Sequence, residues 1–380
     1  MNLPPLHGIR VLDLSRVLAG PFCTALMADA GADVVKIESV TGDDSRHLGP
    51  FRDDESIYFN VLNRRKRSMV LDLKDGEHHG RFMDLVSTAD VLVENYRPGV
   101  TSRLGIDYAA VHARNPALVY ASISGFGQHG PMATTAAYDL VVQAMSGIMS
   151  VTGTADGGPT RVGESFGDLV AGLFAAWGIS TALIEAKSLG RGLHLDVAMF
   201  DSMMAMLPTA HAQLQALGSA PGRVGNRHPV STPFDTYRAR DGIFVLAVAS
   251  HAGFERLAVA LGDAALASDP RFADDTSRTL NEPQLRSIIE RWAAHRAVAD
   301  VVATLNSNGL AASEIWDVKQ ALDSDLAAHR GIVESFDHPR AGRVEFVRQP
   351  VVFGDASRPP VARSPLLDEH HDQTVGSVWS

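Results

Sequence analysis

The first third of the chain alternates short apolar runs with amphipathic stretches. Apolar runs at 9–14 and 33–38 flank a helical stretch that Pro21 opens and Gly31 ends. Parallel strands need a crossover connection, so this spacing predicts a βαβ unit. The alternation continues with predicted strands at 68–73, 91–94 and 118–124 and predicted helices at 80–88 and 107–114. We therefore expect an α/β domain built on a parallel sheet.

Beyond residue 130 the pattern changes to longer helical stretches. Helices are predicted at 138–150, 169–186 and 198–217, with one strand at 194–197. The stretch 169–186 is apolar nearly all round, which predicts a buried helix. Residues 219–235 are rich in Gly, Pro and Ser and indicate a linker. A β-hairpin at 234–248 follows, then mostly helix, and short strands are predicted at 344–347 and 351–353.

Composition narrows the class of protein. The 380 residues are 45% hydrophobic and 21% charged, which predicts a folded globular chain. A formal charge of −10 argues against a nucleic-acid partner. Cys23 is the only cysteine and the histidines are scattered, so we expect neither disulfides nor a metal site. No signal peptide or membrane-spanning run is evident, so we expect a soluble cytoplasmic protein without a membrane partner.

Two short motifs suggest chemistry that their surroundings do not support. Residues 125–130 spell the dinucleotide fingerprint G-x-G-x-x-G, but Pro131 follows and no helix begins promptly to receive a pyrophosphate. Residues 163–167 spell the nucleophile elbow G-x-S-x-G around Ser165, but no convincing strand precedes them. A serine hydrolase using Ser165 remains an alternative of a different class.

Asp168 lies at the mouth of the apolar helix, directly after Gly167. One interpretation is a helix N-cap, which stabilises a helix by about 1 kcal/mol. The other is a nucleophile, because a carboxylate can attack an activated acyl group and glycines would let a bulky thioester approach. Spacing alone leaves both open.

Basic residues supply further candidates. The run 63–68 holds four consecutive cations in an acidic chain, and it is either a solvated face or a contact for phosphates. Arg97 follows a predicted strand, where ligands of open α/β sheets bind, although a surface turn would explain it equally well.

Together these segments resemble the family III CoA-transferases, the group that contains formyl-CoA transferase, carnitine CoA-transferase and α-methylacyl-CoA racemase. The resemblance covers nearly the whole chain, with ordered matches that include GIRVLDLSRVLAGP, GADVVKIE, NRRKRSMVLDLK, ADVLVENYRPGV, YASISGFGQHGP, AAYDLVVQAMSG, GDLVAGLFAAWGISTAL and GNRHPVSTPFDTY.

The resemblance implies both an architecture and a ligand. It implies a large Rossmann-like CoA-binding domain over 1–218, a small α+β domain with linkers over 219–328, and a segment 329–380 that returns to the large domain. An interlocked homodimer is implied as well. Acyl-CoA and small carboxylic acids are the implied partners, with CoA as a substrate and no permanently bound cofactor.

The resemblance also implies the site residues. Asp168 becomes the carboxylate that carries acyl and CoA groups, and it needs no general base because a carboxylate is already ionised near neutral pH. The resemblance implies weakly that Arg64 and Lys66 face the phosphates of CoA. The family's other CoA contacts correspond to Leu18, Ala19, Leu71, Asp72, Leu73, Lys74, Asn95, Tyr96, Arg97, Arg103 and Tyr138.

Positions at which this sequence differs from the family's racemases and formyl-CoA transferases narrow the expected activity. The racemases carry a proton-shuttling His where this chain has Tyr138 and a Glu near His251, so a racemase is the weaker alternative. The formyl-CoA transferases carry a Gln in place of Leu18 and glycines along 249–253, which argues against oxalate as acceptor. His251 either lies on an active-site loop or is a surface histidine.

Substrate choice depends on Arg16, which lies beside the expected site and could pair with the far carboxylate of a dicarboxylic acid. We therefore expect succinyl-CoA as donor and itaconate, mesaconate, citramalate or glutarate as acceptor.

Overall fold

The computed structural model describes residues 2–379, which divide into two compact units. The first unit comprises the residues up to 149, residues 161–216 and the residues from 325 onward, and so contains both ends of the chain. The second comprises residues 150–160 and 217–324. The domain limits after residues 218 and 328 stay a prediction.

The strands of the described residues are, in chain order, β1 (Arg10–Asp13), β2 (Asp33–Glu38), β3 (Phe51–Arg52), β4 (Glu55–Ser56), β5 (Lys66–Val70), β6 (Val91–Glu94), β7 (Val119–Ser124), β8 (His194–Ala198), β9 (Phe234–Arg238), β10 (Ile243–Ala247), β11 (Ala311–Glu314), β12 (Val333–His338) and β13 (Gly342–Val347).

The α-helices of the described residues are α1 (Ala19–Asp29), α2 (Ile57–Leu62), α3 (Gly76–Val86), α4 (Val100–Arg103), α5 (Tyr108–Arg114), α6 (Asp139–Ser146), α7 (Ile148–Val151), α8 (Phe166–Leu189), α9 (Met199–Met204), α10 (Pro208–Leu217), α11 (His251–Ala260), α12 (Asp275–Leu280), α13 (Glu282–Ala293), α14 (Val298–Ser307), α15 (Val318–Leu322) and α16 (Asp325–Arg330). Short 3-10 helices span Asp44–His47, Ala264–Ser268 and Pro270–Phe272.

A six-stranded parallel sheet forms the centre of the first unit, with the spatial order β5-β2-β1-β6-β7-β8. The chain builds the sheet outward from β1 in one direction, then returns to place β6 on the other side of β1. This is the strand order of doubly wound Rossmann-like folds. The predicted α/β class with a parallel sheet is confirmed.

Both faces of this sheet are buried. Its strands are therefore apolar at successive positions, and not only at every second position. Val11 contributes to the core on the α1 and α8 side, whereas its neighbour Leu12 contributes to the core under α3 and α5. The period of two therefore divides each strand between two cores, and the loops at the strand ends are left to form sites.

Helix α8 is less buried than the sequence suggested. Its outer face exposes large apolar side chains, with 67% of Trp177 and 72% of Ile184 accessible. The helix has the length and mean hydropathy (1.6) of a membrane span, and 44% of that apolar window is buried within the molecule. The core helix of a water-soluble protein passes the same test, so this feature is weak evidence for a membrane.

The second unit contains the antiparallel sheet β11-β10-β9. The predicted hairpin is confirmed as β9 paired with β10, with Phe244 opposite Tyr237 in the core. The helix predicted at 138–150 is divided into two at Gly147, whose φ is 93°. The helix predicted at 198–217 is also divided into two, and its second part begins at Pro208. The strand predicted at 351–353 is wrong, because those residues form no ladder.

A set of buried charges lies beneath the loop that joins β1 to α1. The Asp13 carboxylate accepts a hydrogen bond from Lys66 Nζ at 2.9 Å, and Lys36 Nζ lies 2.8 Å from Asp43 Oδ2. Burial alone would raise the pKa of Asp13, but the ammonium groups of Lys36 and Lys66 hold it well below its usual range. Lys36 Nζ also donates to the Ser15 carbonyl at 2.7 Å, so the charges fix the loop above them.

Replacing Lys36 by Met tests how much this set of buried charges contributes to the stability of the fold. The variant leaves two buried carboxylates short of a cation, and we expect the free energy of unfolding to fall by about 3–5 kcal/mol. Urea denaturation followed by fluorescence measures it. Arg114→Met is the control, because Arg114 pairs with Asp84 at the surface and its loss costs about 1 kcal/mol or less. Equal losses in the two variants would contradict the assignment.

Candidate active site

A cavity of about 260 Å³ opens at the carboxyl ends of β1, β6 and β7. β1 and β6 are the adjacent strands from which the sheet grows in opposite directions, so the loops that follow them diverge and leave a crevice. The cavity brings together eight residues predicted from the sequence: Asp168, Arg16, Leu18, Ala19, Asn95, Tyr96, Arg97 and Tyr138.

A larger cleft of about 940 Å³ shares part of its wall with this cavity. The remaining predicted contacts line it, namely Leu71, Asp72, Leu73, Lys74 and Arg103. Arg16, Tyr96 and Arg97 belong to both. The cations Arg16, Lys74, Arg97 and Arg103 line the combined site together with the carboxylates Asp168, Asp44, Glu38 and Asp72. The four cations could contact an anionic ligand.

The β1–α1 loop forms one wall of the cavity and is held from both sides. Arg16 N–H donates to Asn95 Oδ1 and Asn95 Nδ2 donates to the Arg16 carbonyl, each at 2.8 Å. Val17 has a φ of 66°, a strained value for a β-branched residue, and its N–H donates to Asp43 Oδ1 at 3.0 Å. These bonds fix Leu18 and Ala19 against the cavity before any ligand arrives.

Asp168 is the third residue of α8, and its partly buried carboxylate faces the cavity. The N-cap interpretation is wrong, because Ser165 holds the cap position and Gly167 N–H is bonded by Asp139 instead. A Cβ on Gly172, one turn further along the same face, would lie 2.5 Å from the Ala19 carbonyl oxygen. This glycine lets α8 approach α1 closely, which brings Asp168 to the β1–α1 loop.

The electrostatic environment of Asp168 disfavours its charged form. Burial, followed by the nearby Asp139 carboxylate, raises the pKa of Asp168 to about 7. The raised pKa works against the expectation of an ionised carboxylate near neutral pH. The pKa of Tyr58 on α2 is raised as well, by burial and then by the charge of Asp168, so the phenol lies within electrostatic range of that carboxylate. Among the described residues, Asp168 has no hydrogen-bond partner for its side chain.

Several sequence hypotheses do not correspond to this site. Arg64 is buried and donates to Asp29, at 2.6 Å from its Nη2, and Lys66 donates to Asp13. The basic run thus neutralises internal carboxylates rather than facing phosphates. Ser165 follows irregular backbone rather than a strand, so it lacks the strained turn of a nucleophile elbow.

His251 belongs to the second unit, where it is exposed at the start of α11 with Nε2 3.7 Å from Glu255. Its role as a substrate contact stays a prediction. Within residues 2–379, no cluster of three or more His, Cys, Asp or Glu is arranged to hold a metal ion.

Three residues at or near the site are not among those predicted from the sequence. Asp44 lines the cavity and pairs with Arg16 at 3.2 Å, Tyr58 lies within electrostatic range of Asp168, and Asp139 contacts the turn that carries it. Only Asp139 left a signal, because it follows Tyr138 in a matched motif; Asp44 and Tyr58 lie in segments without recognisable pattern.

The fold and cavity define an α/β enzyme with a carboxylate in a cleft for an extended anionic ligand. Residues 6–371 match the model of CoA-transferase family III. The chain is 43% identical to the acetyl-CoA:oxalate CoA-transferase of Acetobacter aceti, over 87% of this chain and 85% of that one. It is 36% identical to the succinate–glutarate CoA-transferase of Agrobacterium fabrum, over 99% and 96% of the two chains.

The structure agrees with these matches. A CaiB/BaiF family protein from Brucella suis superposes with a TM-score of 0.85 at 36% identity, covering 97% of this chain and 98% of that one. The chain therefore belongs to CoA-transferase family III, and it is an enzyme that transfers CoA.

The raised pKa of Asp168 predicts a pH-dependent effect on stability. Between pH 4 and 7 the unfolded chain ionises this residue before the native protein does, so the native protein loses stability as pH rises. Asp168→Asn removes that loss. We expect the variant to gain stability over the wild type at pH 8 relative to pH 5, measured by urea denaturation at both values. An identical difference at the two pH values would contradict the raised pKa.

Proposed function

We propose that this enzyme moves CoA from succinyl-CoA to a dicarboxylic acid, with Asp168 as the residue that carries the transferred groups. The observation that supports this most is the position of the Asp168 carboxylate, which is partly buried, without a hydrogen-bond partner among the described residues, and beside a cleft lined by Lys74, Arg97 and Arg103. A carboxylate so placed is a nucleophile with access to a thioester.

The first half of the proposed reaction transfers CoA to the protein. An Asp168 oxygen attacks the thioester carbonyl, the C–S bond breaks, and an aspartyl anhydride and CoA thiolate form. The thiolate then attacks the aspartyl carbonyl of the anhydride, which gives an aspartyl-CoA thioester and releases the donor acid as its carboxylate. Acyl activation is kept throughout, so no energy source beyond the donor thioester is consumed.

The second half repeats these steps with the acceptor. The acceptor carboxylate attacks the aspartyl-CoA thioester and expels CoA thiolate, forming a second anhydride. The thiolate attacks the acceptor's acyl carbon, and the new acyl-CoA and the free Asp168 carboxylate separate. Walls fixed before binding, such as the β1–α1 loop, favour this sequence because the thiolate must be retained between steps.

Arg16 supports a dicarboxylate as acceptor. Its guanidinium stands over the Tyr96 ring, 5.4 Å from the centroid, and pairs with Asp44, so a cation is already oriented in the cavity wall. A distal carboxylate can bind it in a charge-assisted pair. The names of both relatives contain dicarboxylates, glutarate in one and oxalate in the other. We therefore add oxalate to itaconate, mesaconate, citramalate and glutarate as candidate acceptors.

We also propose that the enzyme is a homodimer. The outer face of α8 exposes Leu173, Trp177 and Ile184 together, an apolar surface that a second copy would cover. Sedimentation equilibrium is expected to give twice the mass of one chain, and a monomer at micromolar concentration would exclude the proposal.

Asp168→Asn tests the nucleophile. We expect CoA transfer between succinyl-CoA and each acceptor to fall by at least about 10³-fold, because the covalent route is lost, while CoA binding persists. Hydroxylamine added to the wild type with succinyl-CoA should leave a hydroxamate at residue 168, detected by peptide mass spectrometry. Ser165→Ala is the control and keeps its activity. Transfer that survives in Asp168→Asn would refute the mechanism.

Arg16→Gln tests the dicarboxylate contact. Loss of one charge-assisted pair is expected to raise KM for a dicarboxylate by about 10-fold, with a smaller rise for Arg16→Lys. The matched measurement uses acetate or propionate as acceptor, whose KM should not change because these acids have no distal carboxylate. A dicarboxylate KM that does not move in Arg16→Gln would exclude this role.

A further inference from the structure

We infer that Asp139 and Gln143, one turn apart on α6, are positioning residues for Asp168. They hold the turn that presents the Asp168 carboxylate, and the Asp139 charge disfavours free Asp168 relative to its acylated forms. The inference rests on the proposed role of Asp168 as nucleophile.

Asp139 binds the first turn of α8 from another helix. The side chain is buried, its Oδ1 accepts from Gly167 N–H at 2.8 Å, and its Oδ2 accepts from Gln143 Nε2 at 2.8 Å. First-turn amides need an acceptor from outside the helix, and Ser165 at the cap position supplies none. Asp139 thus replaces the missing cap at the residue directly before Asp168.

Gln143 fixes the chain that leads into this turn. Its fully buried side chain accepts from Val162 N–H at 2.8 Å through Oε1 and donates to the Glu164 carbonyl at 3.3 Å through Nε2. With the bond from Gly167 N–H to Asp139, these contacts attach residues 162–167 to α6 at both ends. The position of Asp168 is therefore set by α6 rather than by a strand before α8.

Gly167 makes the contact possible. A Cβ at this position would lie 3.1 Å from Asp139 Oδ1, tighter than most real contacts, so a larger residue would push the carboxylate away. The close approach of Asp139 to the helix start thus depends on the glycine.

The same contact brings the Asp139 carboxylate within electrostatic range of Asp168. Burial is the larger cause of the raised pKa of Asp168 and the Asp139 charge is the second. An anhydride or thioester at residue 168 is neutral, so its formation relieves both the burial penalty and the repulsion. The other charged or titratable groups near Asp168 are Tyr58 from α2 and, along the cavity wall, Arg16, Asp44, Tyr96, Arg97 and Tyr138.

The substitution Asp139→Asn alters both contributions, the positioning and the charge. The new amide oxygen still accepts from Gly167 N–H, but the amide nitrogen opposes the donor of Gln143, and the charge beside Asp168 is gone. We expect kcat for CoA transfer to fall about 10- to 100-fold, with KM for succinyl-CoA within about threefold because the cleft is untouched. The acidic limb of the pH–kcat profile should move to lower pH.

The double variant Asp139→Asn with Gln143→Glu tests positioning. It reverses the direction of the hydrogen bond between the two side chains, still accepts from Val162 N–H and gives up the donation to the Glu164 carbonyl, so we expect kcat to recover by about fivefold over Asp139→Asn. Gln143→Met alone keeps the Asp139 carboxylate and removes the bonds to Val162 N–H and the Glu164 carbonyl, so kcat should fall by at least about fivefold. Because this variant keeps Asp139, it provides a test even if Asp139→Asn fails to fold.

Asp107→Asn is the control, because Asp107 caps α5 through Ala110 N–H and lines neither cavity. It should retain wild-type kcat. The inference would be overturned by a kcat within twofold of wild type in Asp139→Asn or in Gln143→Met. It would also be overturned by an acidic limb that does not move in Asp139→Asn, or by no recovery in the double variant. Asp168→Asn is assayed in parallel: if that variant keeps transferring CoA, the proposed function itself fails, whatever the Asp139 variants do.

Discussion

The structure depends on the buried charges beneath the β1–α1 loop. Asp13, Lys36 and Lys66 are almost inaccessible to solvent, and each would be costly to bury alone. They are stable together only when the loop carbonyl at Ser15 and the carboxylate of Asp43 take the positions observed. Since Asp43 also accepts from the strained Val17 amide, the electrostatic requirement of the core sets the shape of the cavity wall.

Asp168 contrasts with these paired groups. The carboxylates beneath the β1–α1 loop have cations beside them. Asp168 instead is partly buried and near a second carboxylate, and both raise its pKa. A group that is unfavourable as an anion gains by becoming a neutral acyl derivative. The same protein thus stabilises some buried carboxylates for structure and leaves another unstabilised, which is the condition the proposed covalent mechanism requires.

The sequence predicted the sheet well because its signal is local. Alternation of strand and helix fixed the βαβ units, and ordered motifs placed Asp168 and the residues that line the two clefts. The basic run was misinterpreted because the acidic partners of Arg64 and Lys66 lie 35 and 53 residues away in the chain. The strand predicted at 351–353 failed because apolar composition does not supply a partner strand.

The sequence by itself determined the α/β class, the family and the identity of the acidic residue at the start of α8, since periodicity and motif order are properties of neighbouring positions. The tertiary structure alone decided that Asp139 contacts the turn of Asp168, that Asp44 lines the cavity, and that the pKa of Asp168 is raised. Burial and charge proximity depend on distances between segments remote in the chain, and no local pattern encodes those distances.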